Sequence, residues 1–290
     1  MSYSYKKLLP FLAFLLCTPV LLYAQGAPEI GVFGGVSTYS GDLTPNSITF
    51  KQSHPAFGFL IRKSIYKGFG LRLGVSFGKI SGADSLASDS STRLRNLSFT
   101  SNVTDVHLLA EYNFFDYKVT GFTPYVFVGI SVFYFDPYAR DTSGMKVYLP
   151  PLSTEGEGLT SYPDRKPYNL TQISIPFGVG LKYLISPGIN LGVEFRINKT
   201  FTDYLDDIST SYVDKNKLLA ERGPTAVDYA FRSDEVPGHK ADLYPAEGAA
   251  RGSAKYKDWY YFTGLTLTFD LNGGNGLFGK ALKQLRCPGM

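Results

Sequence analysis

The sequence predicts an all-β fold: an eight-stranded antiparallel transmembrane β-barrel with long loops at one end and short turns at the other. Three observations lead there. Eight segments alternate apolar and polar residues with the period-two spacing of strands. The links between them alternate strictly between short and long. The face opposite the apolar one carries mid-strand charges and glycine, which suits a crowded interior better than a wet exterior.

The composition agrees. Of 290 residues, charged side chains make up 19%, below the ~25% usual for soluble domains. Tyr (21), Phe (22) and Gly (30) are abundant. Lys+Arg (29) barely exceeds Asp+Glu (25), which gives no case for nucleic acid as a partner.

The N-terminus, residues 1–24, reads as a signal peptide. Lys6 and Lys7 precede the apolar run Leu8 to Leu22, and Ala24 offers a cleavage site before Gln25. Cleavage removes Cys17 and leaves Cys287 alone, so no internal disulfide forms. No later run reaches the ~18 apolar residues of a membrane helix, so the mature chain crosses as strands or not at all.

The barrel domain is expected over 25–271, with strands at 29–40, 55–66, 69–81, 98–115, 122–135, 170–185, 188–202 and 257–271. "INLGVEFRIN" sets Ile189, Leu191, Val193, Phe195 and Ile197 against Asn190, Gly192, Glu194, Arg196 and Asn198. "LRLGVSFG", "TDVHLLAEYNF", "ISIPFGVGLKY" and "GLTLTF" repeat the pattern. The short links lie near Gly68, at Asp116 to Gly121 and at Ser186 to Gly188. The long ones run over 41–54, 82–97, 136–169 and 203–256. Outer-membrane barrels join their strands in this way, with short periplasmic turns and long outer loops. In lipid every backbone polar group needs a partner, so the sheet must close.

Alternation alone does not give the sense of the faces, and a soluble barrel would put the apolar side chains inward. The mid-strand charges, the glycines beside them, and the Tyr and Phe gathered at strand ends ("NFFDY", "FYFDPY", "DWYYF") favour the apolar face outward. Location in a Gram-negative outer membrane, with its lipids as neighbours, follows.

The expected interior charges are Arg62, Arg72, Asp105, His107, Glu111, Lys182, Glu194 and Arg196. They form either a salt-bridged plug or the lining of a pore or proton path. An eight-stranded lumen is just wide enough for side chains to fill, which favours the plug. His107 shares a face with Asp105 and Glu111, but no GxSxG elbow accompanies it, so an interior polar role is expected over a hydrolase one. Asp203, Asp206 and Asp207 mark a possible interaction loop. They read either as calcium ligands or as a solvated acidic loop that starts a folded cap. "VDKNKLLAERG" suggests a short helix from Asp214 to Gly223. The tail, 272–290, carries Lys280, Lys283 and Arg286 beside Leu277, Leu282 and Leu285. It reads as a short amphipathic helix that docks a periplasmic partner or as a solvated end. No catalytic, cofactor-binding or metal motif is present.

Several phrases in order carry a family resemblance: "EIGVFGGVSTYSGDL", "RNLSFTSNVTDVHLLAEYNFF", "FTPYVFVGISVFYFDP", "RINKTFTDYLDDIST", then Arg251-Gly252 leading to "DWYYFTGLTLTF". The chain resembles the PorG-like outer-membrane barrels of the Bacteroidota, components of the type IX secretion system. The resemblance implies a non-enzymatic barrel that anchors or aligns the secretion machinery through its periplasmic ring, which includes a lipoprotein and its partner. Relatives without a secretion role leave open a stand-alone structural or surface-adhesion barrel.

Overall fold

A computed structural model describes residues 28–44, 52–87, 89–236 and 244–271. The leader and the tail with Lys280, Lys283 and Arg286 lie outside the described residues. The chain forms β1 (Glu29–Ser40), β2 (His54–Tyr66), β3 (Phe69–Ala83), β4 (Ser98–Asn113) and β5 (Phe122–Phe135). A short hairpin, β6 (Tyr138–Arg140) and β7 (Lys146–Tyr148), follows, then β8 (Thr171–Ser186), β9 (Ile189–Thr200) and β10 (Trp259–Asp270).

The eight long strands pair antiparallel with their chain neighbours, and β1 pairs β10 from Glu29↔Asp270 to Ser40↔Trp259. That last ladder closes the cylinder and removes both sheet edges. The β6–β7 hairpin hangs on β4 through Thr100↔Tyr138. β4 stops at Asn113, two residues before the expected end, because the Asp116 side chain accepts from Lys118 N and caps a helical turn, Tyr117–Thr120. The other tight turns rest on Gly68 and Gly188, both at φ +87°, where a side chain would be strained.

The sense of the faces is resolved on β9. Val193 is 53% exposed, whereas Glu194 and Arg196 are each 5% exposed. The same holds around the barrel. Phe59, Leu73, Leu108, Ile130, Leu181 and Leu265 face out, while Arg62, Arg72, His107, Ser131, Lys182 and Thr266 face in. Aromatic side chains cluster at both strand ends. Phe69, Tyr112 and Phe114 pack near the short turns; Phe177 with Trp259, and Phe195 with Tyr261, pack toward the long loops.

The long loops fold into a cap. The helix Lys215–Arg222 starts at Asp214, whose carboxylate accepts from Asn216 N and Lys217 N, and ends at Gly223, as the sequence suggests. A second helix, Pro224–Ala230, follows at once. Leu218, Ala226, Val227 and Ala230 pack on Leu159 and Val213, giving the cap a small core of its own. A second apolar cluster runs from the upper lumen into the cap through Phe33, Phe99, Phe133, Phe135, Leu205 and Phe262.

Candidate functional site

The expected interior residues do converge, in two tiers. In the tier nearer the short turns, Arg62 holds three carboxylates: Glu111 at 2.6 Å, Glu29 at 3.3 Å and Glu194 at 3.6 Å. Arg72 pairs with Glu111 at 3.1 Å and also with Glu194. Lys182 donates to Asn113 Oδ1 at 3.0 Å and lies 3.8 Å from Glu111. Glu29 also accepts from the Tyr117 hydroxyl at 2.7 Å, and Glu194 from the Tyr125 hydroxyl. Three carboxylates thus meet three cations, and rings take the remaining faces: Arg72 lies 4.7 Å from the Phe127 centroid and Lys182 4.9 Å from that of Tyr125.

The glycines on the inner face make this possible. A Cβ on Gly180 would lie 2.5 Å from the Tyr125 ring, so the bulky network needs a bare backbone opposite it.

In the second tier Asp105 accepts from the Tyr260 hydroxyl at 2.7 Å and pairs with Arg196 at 3.4 Å. His107 Nδ1 lies 2.8 Å from Asp105 Oδ1, and its Nε2 lies 3.1 Å from Arg196 Nη1. A neutral ring that donates to Asp105 and accepts from Arg196 satisfies both nitrogens. Arg196 also donates to Ser76 at 3.0 Å and covers the Phe262 ring at 4.5 Å. One cation and one carboxylate balance here as well. The void left beside Arg72, His107, Glu194 and Arg196 is about 10 Å³, room for about one water. His107 is therefore a buried link between Asp105 and Arg196.

The third expected group needs correction. Asp203, Asp206 and Asp207 do not form a solvated loop: they are 2%, 1% and 1% exposed. Each has a partner from the barrel rim or the cap. Asp206 accepts from the Tyr39 hydroxyl at 2.6 Å and from Ile208 N. Asp207 accepts from Thr154 and Tyr168, both at 2.6 Å, and Asp203 accepts from Ser209 at 2.8 Å. Asp206 shares the Tyr39 hydroxyl with Asp258, while Asp207 turns to Thr154 and Tyr168, and among the described residues no cluster has the form of a metal site.

Burial pushes Asp206 and Asp258 well up. It also raises Asp203 and Asp207 to about 6, against the pull of Lys257 on the first and Arg251 on the second. Glu157 is pushed up to about 8 by burial and by Asp207 and Glu155. Glu155 itself is clamped by Arg251 at 3.2 Å and by the backbone N–H groups of Ser209 and Thr210. Arg251 also donates to Asp207 O at 2.6 Å and to Ala230 O at 3.3 Å. It therefore ties three cap segments together.

Glu29, Glu155 and Asp258 escape a reading of the sequence. Glu29 opens a strand whose next charge is far away, so nothing in β1 flags it. Glu155 sits in a long link with no period, and Asp258 lies at the very start of the last expected strand.

A closed barrel with an apolar outside, aromatic girdles and a neutral ionic inside defines a transmembrane β-barrel of the outer-membrane class. Residues 6–147 match a family described as a domain of unknown function (DUF6089). No curated protein matches the chain.

Among solved structures it is similar to Neisserial surface protein A, at 10% identity and a TM-score of 0.40, covering 85% of this chain and 99% of that one. It is also similar to a major outer membrane protein from Thermus thermophilus, at 14% identity and a TM-score of 0.39, covering 84% of this chain and 99% of that one. The attachment invasion locus protein Ail of Yersinia pestis matches at 10% identity and a TM-score of 0.37, covering 84% of this chain and 99% of that one. The barrel assignment rests on the closed ladder.

Proposed function

We propose that the protein is a non-enzymatic outer-membrane anchor that holds or aligns a protein assembly, the type IX secretion machinery, through its periplasmic end. The observation that carries the anchoring role is the filled lumen. Among the described residues four carboxylates (Glu29, Glu111, Glu194, Asp105) meet four cations (Arg62, Arg72, Lys182, Arg196) there, which supports a rigid plug over an open channel. The type IX assignment rests on the sequence resemblance, and its partners are the periplasmic ring proteins. Pull-down of the full chain from mild detergent is expected to recover those ring proteins, and deletion to block secretion of their cargo. Recovery of the barrel alone from membranes whose ring is intact contradicts the assignment.

A second reading, a stand-alone structural or adhesion barrel, draws on the folded cap. The Arg251–Glu155 clamp makes the outer end a defined surface. In that case deletion leaves secretion normal and alters envelope integrity or surface binding.

A further inference from the structure

The barrel wall closes on itself, but the hairpin that hangs on β4 does not. The strand order ends β4–β6–β7, and β7 pairs only with β6, through Tyr138↔Tyr148, Ala139↔Val147 and Arg140↔Lys146. Asp141 N donates to Met145 O, and Leu149 N donates to Pro137 O. Bonded pairs alternate along an antiparallel ladder, so Ala139↔Val147 is the bonded pair between them. The N–H and C=O groups of Lys146 and Tyr148 therefore point away from β6. Among the described residues no hydrogen bond reaches them. An unpaired edge of this kind is a template for another extended chain.

The side chains around the edge define what that chain carries. Ala139 and Val147 face the cap core, so Arg140, Lys146 and Tyr148 share the outer face. All three are exposed, and Met145 beside them is 66% exposed. Arg140 and Lys146 lie directly opposite one another, a like-charge pairing that is destabilising when nothing offsets it. The Lys146 ammonium lies 4.5 Å from the Tyr138 centroid, and Arg140 donates to Gly144 O. Among the described residues neither has an ion pair. The Asp141 carboxylate is taken up by its own turn, where it accepts from Ser143 N and Met145 N. The edge is thus cationic, partly apolar and short of an acid.

We propose that the free edge of β7 binds an acidic segment of a partner protein as an added antiparallel strand, with a carboxylate beside Lys146 and an apolar side chain beside Tyr148. Such a strand exchanges both backbone bonds at Lys146 and both at Tyr148. The residues that do so turn their side chains to the outer face, where the carboxylate offsets the paired cations. The hairpin belongs to the long-loop end, which faces away from the periplasm. This surface is therefore separate from any periplasmic docking role and does not depend on the type IX reading.

The probe is a short fluorescent peptide of alternating glutamate and valine, titrated into the full-length protein in phosphatidylcholine nanodiscs. Saturable binding is expected below about 1 mM. The same peptide N-methylated at its glutamates cannot donate to β7 in the register that sets a carboxylate beside Lys146. It is expected to bind about tenfold or more weakly, as is a peptide of alternating lysine and valine. Equal binding of the parent and methylated peptides overturns the proposal, as does the absence of saturable binding, whatever any variant does. Lys146→Glu is expected to abolish the preference for the glutamate peptide over the lysine one, and an unchanged preference overturns the site. Lys215→Glu, on the exposed cap helix, is expected to retain the preference. Its loss in both variants indicates attraction by net charge and also overturns the site.

Discussion

The Tyr39 hydroxyl, on the inner face of β1, lies 2.6 Å from Asp206 of the cap, and both groups are buried. It joins the barrel wall to the lid. Asp258 lies 3.1 Å from the same oxygen. A hydroxyl has one hydrogen, so the two carboxylates share one donor, and burial pushes both acids well above the usual carboxylate range.

Tyr39→Phe removes that donor while keeping the ring against Phe99. The cap is expected to loosen by about 1–3 kcal/mol, the cost of orphaning a buried acceptor. Hydrogen exchange should speed up over 202–213 and stay unchanged in the β4 and β8 ladders. Equal acceleration in both places would show that the cap and barrel open together.

The cap should weaken as pH rises. Burial lifts Asp203 and Asp207 from 3.8 to about 6 and Glu157 from 4.5 to about 8. A raised acid binds its proton more tightly in the folded state, so its contribution is complete below the unfolded pKa and lost as pH climbs through the folded one. The window therefore runs from about pH 4 to about pH 8. Cap exchange, corrected for intrinsic rates, should be slower at pH 5 than at pH 8.5. The opposite order would mean that these acids are ionised and otherwise compensated.

Glu111→Gln leaves Arg62, Arg72 and Lys182 facing only Glu29 and Glu194. Breaking a buried pair from one side typically costs about 3–5 kcal/mol. Urea unfolding of the refolded barrel in detergent, followed by the gel-mobility shift of folded barrels, should move by that amount. A shift below about 1 kcal/mol would imply that water or a relaxed Arg62 absorbs the charge.

The barrel is legible in the sequence because its physics repeats. Every second residue of "INLGVEFRIN" faces lipid, and a two-residue period survives any error at the strand ends. The lumen network is legible in membership but not in pairing. Arg72 of β3 meets Glu194 of β9 across the cylinder, and sequence spacing says nothing about which strands face one another through the lumen. The cap is least legible. Asp203, Asp206 and Asp207 read as solvated because acidic runs usually are, whereas here Tyr39, Thr154, Tyr168 and Ser209 supply donors from distant segments. Long-range satisfaction of this kind leaves no local pattern.

The most direct test places spin labels at Val193, Leu181 and Leu265, one at a time, in a Cys287→Ser background in phospholipid bilayers. All three side chains lie on the outward face, at 53%, 52% and 50% exposure. Each label should collide freely with dissolved oxygen and be shielded from a water-soluble nickel chelate. Ready access of the nickel chelate to all three would place this face in water and overturn the transmembrane barrel.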